Sequence, residues 1–130
     1  MTTARIAQMG AVSAALAVVV GAFGAHALNN SLDPAELAAY ETGARYHMYH
    51  ALGLLAVAWV HSRAHSPATV AAAWCFVLGT VLFSGSLYAL AVLHLSWLGA
   101  VTPLGGVGVI VGWVCLAVGR ATPPIRPQPY

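Results

Sequence analysis

Apolar stretches broken by a few polar, proline-marked positions run through almost the whole chain. After Arg5 no Asp, Glu, Lys or Arg occurs until Asp33, and after Arg63 none occurs until Arg120. A bilayer core about 30 Å thick needs about 20 apolar residues per helix, and about 17 suffice. The pattern therefore predicts four spans, over about residues 6–28, 44–60, 67–93 and 103–119. Ser66-Pro67 and Thr102-Pro103 each place a capping hydroxyl before a proline at the first helical position. Asp33-Pro34-Ala35-Glu36 has the same form, with Glu36 as the acid of a capping box. It predicts a short surface helix over 34–41 between the first two spans, with Gly43 as a bend before the second. The expected fold class is an all-α integral membrane protein, a compact four-helix transmembrane bundle. Its single domain covers residues 1–120, and a Pro-rich tail covers 121–130, extended or disordered over 123–130.

Composition agrees. Hydrophobic residues make up 60% of the chain and charged residues 6%, against about 25% charged in a soluble domain. So few polar side chains cannot cover a water-facing surface, and 130 residues leave no room for a separate soluble catalytic domain. A net charge of +2, divided between loops, gives no nucleic-acid footprint. Cys75 and Cys115 fall inside apolar runs and read as packing residues rather than a disulfide framework.

The few charges set a direction. With four spans, Arg5, Arg63, Arg120 and Arg126 collect on one side, whereas Asp33, Glu36, Glu41 and only Arg45 collect on the other. This positive-inside bias places both termini in the cytoplasm (N-in/C-in). Tyr40, Tyr46, Tyr49 and Trp97 then form an outer aromatic belt, with Trp59 near the inner boundary. A rival reading takes the first span as a cleavable secretory signal ending at Ala25-His26-Ala27. Its apolar run exceeds the usual 7–15 residues, and the other spans keep their orientation either way.

Helices in lipid associate through close backbone approach. Gly21 and Gly24 in the first span, Gly79 and Gly85 in the third, and Gly105, Gly108 and Gly112 in the fourth are the expected packing positions, with Gly10, Ala14 and Ala17 at helical spacings in the first. Gly105-Gly106 follows no strand and is not a phosphate loop. The polar set expected at depth is Ser13, Thr80, Ser84, Ser86 and Tyr88, without ionisable groups or an inverted repeat, which argues against a carrier or proton pump. No catalytic pair emerges.

Histidines are the remaining chemistry. His61 and His65 flank Arg63 and are expected in solvent. His26, His47, His50 and His94 are expected near the outer boundary at the ends of three spans, with His47 and His50 on adjacent parts of one helical face. Interfacial histidines commonly cap helices, bond carbonyls or pair with a carboxylate such as Glu41. Converging neutral imidazoles would instead hold zinc, copper or haem iron. No CxxC, HExxH or thiolate cluster adds to that metal reading, so no cofactor is assigned.

One series of motifs is more specific. Gly21-Ala22-Phe23-Gly24-Ala25-His26, then Thr42-Gly43 leading to Tyr46 and His50-Ala51-Leu52, then Leu82-Phe83-Ser84-Gly85-Ser86-Leu87-Tyr88, then Thr102-Pro103-Leu104-Gly105-Gly106 with Gly112-Trp113 occur in that order. Over about residues 5–119 the chain resembles the small bacterial membrane proteins of domain-of-unknown-function family 423, which also includes a human transmembrane protein of similar size. The resemblance implies a four-span α-helical inner-membrane protein, implies no activity, and places His26 and His50 within family-like motifs. Two readings stay open. The first is a non-enzymatic accessory or scaffold bundle in the lipid bilayer, as a homo-oligomer or a subunit of a larger complex. The second is a binder of a metal, haem or small ligand at the outer boundary through His26 and His50 with His47 or His94.

Overall fold

The computed structural model describes residues 1–120; the Pro-rich tail expected over 121–130 lies outside them. Four helices form: α1 (Thr3–Phe23), α2 (Pro34–Arg63), α3 (Pro67–Leu93) and α4 (Thr102–Arg120). A π-helical turn, Gly24–Leu28, extends α1, and a 3-10 turn, Ser96–Ala100, precedes α4. Among the described residues three helical stretches are long and apolar enough to cross a membrane: Thr3–Leu28, Pro67–Leu93 and Ser96–Gly119. The stretch expected as the second span is not one of them.

That difference originates in α2. It runs unbroken for 30 residues, about 45 Å at ~1.5 Å per residue. The separate surface helix over 34–41 does not exist, and Gly43 is not a bend. Asp33 caps α2 as predicted: its Oδ1 accepts from the Ala35 and Glu36 backbone amides at 2.8 and 2.9 Å, and Glu36 Oε2 accepts from the Asp33 amide. The helix continues through Gly43 because the Tyr88 ring lies against it, where a Cβ would stand 2.9 Å from Cε1. The weak helix propensity of glycine is overridden by a contact only glycine permits. Histidines and tyrosines lower the hydropathy of α2, and α1 and α3 flank it.

The helices are antiparallel neighbours in chain order. The α1–α2 seam joins Gly10 to Ala51 and Leu54 and ends where the Tyr40 hydroxyl donates to the Val20 carbonyl at 2.9 Å. Here the π turn begins, and the Tyr40 ring covers Gly24 so closely that a Cβ would meet Cε1 at 2.5 Å. The α3–α4 seam is backbone on backbone. A Cβ on Gly79 would meet the Val109 amide at 2.8 Å, one on Gly108 would meet the Gly79 Cα at 3.2 Å, and one on Gly112 would press on the Phe76 ring. Gly24, Gly79, Gly105, Gly108 and Gly112 thus lie at close contacts that a Cβ would crowd. Gly21 and Gly85 do not: nothing lies within 4 Å of a Cβ at either.

Nor is the bundle closed. α1 lies along α2 but forms no comparable seam with α3 or α4, so a groove remains between α1 and α3 above α2. The core under it joins Ile6 of α1, Leu54 and Val57 of α2, Ala72, Ala73 and Phe76 of α3, and Val109 and Leu116 of α4. Cys75 and Cys115 are half-buried free thiols.

Candidate functional site

The contacts that set helix register also set the height of the histidines. His47 lies opposite Ser13 of α1, Gly43 opposite Leu87 and Tyr88 of α3, and Gly53 opposite Phe76. His47 and His50 therefore sit in the middle of α2; His47 is about 20 Å from the start of the helix, by ~1.5 Å per residue. The sequence places them at the end of a helix that begins near residue 44, whereas α2 continues through residues 34–43, almost three turns beyond them.

His47 is the hub. Its Nε2 lies 3.1 Å from Ser13 Oγ and its Nδ1 lies 3.1 Å from the Tyr88 hydroxyl. A neutral imidazole has one donor and one acceptor nitrogen, so Ser13 and Tyr88 take opposite roles and the three groups form one chain from α1 through α2 to α3. The Tyr88 ring also packs against Tyr40, with centroids 5.0 Å apart.

This chain of bonds borders the groove, a cavity of about 690 Å³ whose lining is mostly apolar, within the ~300–1,000 Å³ usual for small-molecule sites. Met9, Val12 and Leu16 of α1 form one wall and Val77, Val81 and Gly85 of α3 the other, while Arg5 and Gln8 stand at one end. The α1 positions recur every three or four residues, the spacing of one helical face. Thr80 and Ser84 also line the groove; both hydroxyls are buried without a hydrogen-bond partner, which costs about 1–3 kcal/mol for each group.

The other histidines go elsewhere. His50 is 4% exposed; its Nδ1 donates to the Tyr46 carbonyl at 2.7 Å, and its ring lies among Phe76, Trp113 and Tyr46. His26 is exposed on the π turn. His94 caps α3 in the left-handed region at φ 56°, a conformation that costs a side-chain-bearing residue roughly 1–2 kcal/mol. Its Nδ1 lies 2.6 Å from Glu36 Oε1, so it ties the end of α3 to the start of α2. Among the described residues no group of three or more His, Cys, Asp or Glu side chains is arranged to hold a metal ion. His26, His47, His50 and His94 have separate surroundings.

His61, expected in solvent, is 3% exposed. Its Nδ1 lies 2.6 Å from Thr69 Oγ1 beneath the α2–α3 connection, and burial, aided by neighbouring His65, moves its pKa below the ordinary histidine range. His65 is exposed, as expected.

Replacing His47 by leucine removes two cross-helix hydrogen bonds, each worth about 0.6 kcal/mol on average in membrane proteins. The expected loss is about 1 kcal/mol in the unfolding free energy in mixed micelles. His47→Gln, which keeps a donor and an acceptor, should recover most of it. Equal losses in the two variants would show that the hydrogen-bonding groups of His47 add nothing.

Comparison with known proteins now adds an identity. Residues 20–106 match the family described as "Protein of unknown function (DUF423)". The chain is similar to the UPF0382 membrane protein YwdK of Bacillus subtilis, 49% identical over 111 residues, covering 85% of this chain and 90% of the relative. It is similar also to the UPF0382 membrane protein SSP2132 of Staphylococcus saprophyticus, 46% identical over 111 residues, covering 85% and 92%. The UPF0382 inner membrane protein YgdD of Escherichia coli K12 is 40% identical over 119 residues, covering 92% and 91%. No solved structure matches. With the motif series in order, an all-helical chain and matches along most of its length, this protein belongs to the DUF423 family of membrane proteins.

Proposed function

We propose that this is a four-span inner-membrane protein with both termini cytoplasmic, an accessory helix bundle that works by binding rather than by catalysis. The observation that carries the reading is the groove between α1 and α3, bordered by Ser13, His47 and Tyr88. A polar hub near the middle of α1 and α2 and in the last third of α3, beside an open apolar cavity, suits recognition of an amphipathic molecule. No nucleophile–base pair accompanies it: Ser13 meets His47, but the second nitrogen of that imidazole meets a tyrosine hydroxyl rather than an orienting carboxylate. As the second span, α2 has sufficient length, and its buried polar side chains, among them His50, face protein rather than lipid. Arg5 and Arg63 at one end, with Asp33, Glu36 and Glu41 toward the other, support the orientation.

Gly85 lines the groove with nothing within 4 Å of its Cβ position, so Gly85→Phe should fill the cavity without a clash. Mass spectrometry of small molecules extracted from gently purified protein should reveal a species present in the wild type and lost from this variant. Identical extracts would overturn the binding reading. For topology, cysteines placed at Asn30 and Ser62 in a background lacking Cys75 and Cys115 are the test. A membrane-impermeant maleimide should label position 30 from outside and position 62 only after lysis; the reverse pattern would invert the orientation.

A further inference from the structure

The groove has a direction that its binding role does not require. Arg5 is the one charged side chain that lines it, and no carboxylate does. Among the described residues the Arg5 guanidinium forms no ion pair. From Arg5 to Leu16 the α1 wall rises about 16 Å at ~1.5 Å per residue, close to half of a hydrocarbon core about 30 Å thick, which is one leaflet. Between those ends the α1 wall is Gln8, Met9, Val12 and Ser13, facing Val77, Thr80, Val81 and Ser84 of α3, so the lining is mostly apolar and interrupted by one amide and three hydroxyls. The site therefore has a cation at one end and an apolar slot one leaflet long, open along the side between α1 and α3.

Resting on the binding reading above, we infer that the groove holds one acyl chain of an anionic phospholipid, entering sideways from the leaflet at the Arg5 end, with the lipid phosphate on the Arg5 guanidinium. The charge selects the headgroup, because a basic side chain between spanning helices attracts anionic lipid heads. The length and apolar lining select the chain. A compact soluble anion would match Arg5 but leave the slot empty, whereas a neutral lipid would fill the slot but leave Arg5 unpaired.

Native mass spectrometry of the full chain in mild detergent, with phosphatidylglycerol or phosphatidylcholine of identical acyl chains, tests this. One retained phosphatidylglycerol per chain is expected, bound about fivefold tighter than phosphatidylcholine, as one nearby arginine implies. Arg5→Gln should remove the preference and keep chain binding. Val12→Trp, at an exposed groove position, should abolish retention of both lipids without changing the helical circular dichroism. Equal retention of the two lipids by the wild type, with loss of both in Val12→Trp, would overturn the anionic assignment and leave the groove as a binding site. Retention unchanged in Val12→Trp would overturn both. Conversion of a dimer into a monomer by Val12→Trp, with lipid retention unaltered, would assign the groove to a second copy of the chain and overturn the lipid reading.

Discussion

Replacing Phe76 by alanine is expected to destabilise the folded helices by about 3 kcal/mol, the lower end of the usual ~3–5 kcal/mol for removal of a buried aromatic ring. Phe76 has 0% exposure and links three helices. Its ring meets Trp113 of α4 edge-on at 4.8 Å between centroids, and His50 of α2 at 5.6 Å. Gly53 and Gly112 leave room for it: a Cβ would come within 3.1 Å of the ring at the first and 2.7 Å at the second. The lower end applies because lipid tails are as apolar as a protein core, so little is gained by withdrawing the ring from them. What alanine forfeits is dispersion contact and a filled volume. Reversible unfolding in mixed detergent micelles, followed by circular dichroism and tryptophan fluorescence, measures the loss. A change below about 1 kcal/mol would mean that the helices close over the vacated space and that Phe76 does not set their spacing.

Gly105→Ala should cost about 1–3 kcal/mol, the range for forcing an extra methyl into a packed site, and its neighbour supplies the control. A Cβ on Gly105 would run into the Phe83 backbone amide, stand 2.7 Å from the Phe83 Cα, and stand 2.8 Å from the Gly79 carbonyl oxygen. None of these is the end of a flexible side chain, so α3 and α4 must separate. At Gly106 the nearest atoms belong to the Phe83 ring, at 3.7 and 3.8 Å, which is ordinary contact. Gly106→Ala should be neutral or stabilise by up to about 1 kcal/mol through helix propensity. The same unfolding assay compares the two variants, and equal effects would refute the close backbone seam as the link between α3 and α4.

These two positions differ in how far they were legible. The Gly79, Gly105, Gly108 and Gly112 seam is readable because small residues at helical spacing in apolar runs carry one meaning in lipid. Yet the same rule names Gly21 and Gly85, which face open space, and it overlooks Gly43 and Gly53, which face Tyr88 and Phe76. The periodicity of one helix says which glycines share a face; it does not say which faces meet. Phe76 carries no sequence signal beyond being one apolar residue among many.

Caps and chain breaks behaved differently from partners. The Asp33 box and the Ser66-Pro67 start depend on atoms within four residues, so α2 and α3 begin where those signals fall, and α3 runs over Pro67–Leu93. Gly43 and the histidines depend on atoms far along the chain. His61 looks solvated beside Arg63 until Thr69 folds back over it, and His47 looks interfacial until α2 is seen to run nine residues beyond Gly43 toward its own start.

The sequence by itself thus determined the all-helical membrane class, the helix starts, the family and the sparse charges at the ends of the apolar runs, because each follows from composition or from interactions within one or two turns. Only the tertiary structure decided that α2 is continuous, that His47 joins Ser13 to Tyr88 at mid-helix, and that α1 stands off from α3 to leave a groove with Arg5 at its end. Each of these rests on contacts between helices far apart in the chain, where packing against a specific neighbour outweighs local preference.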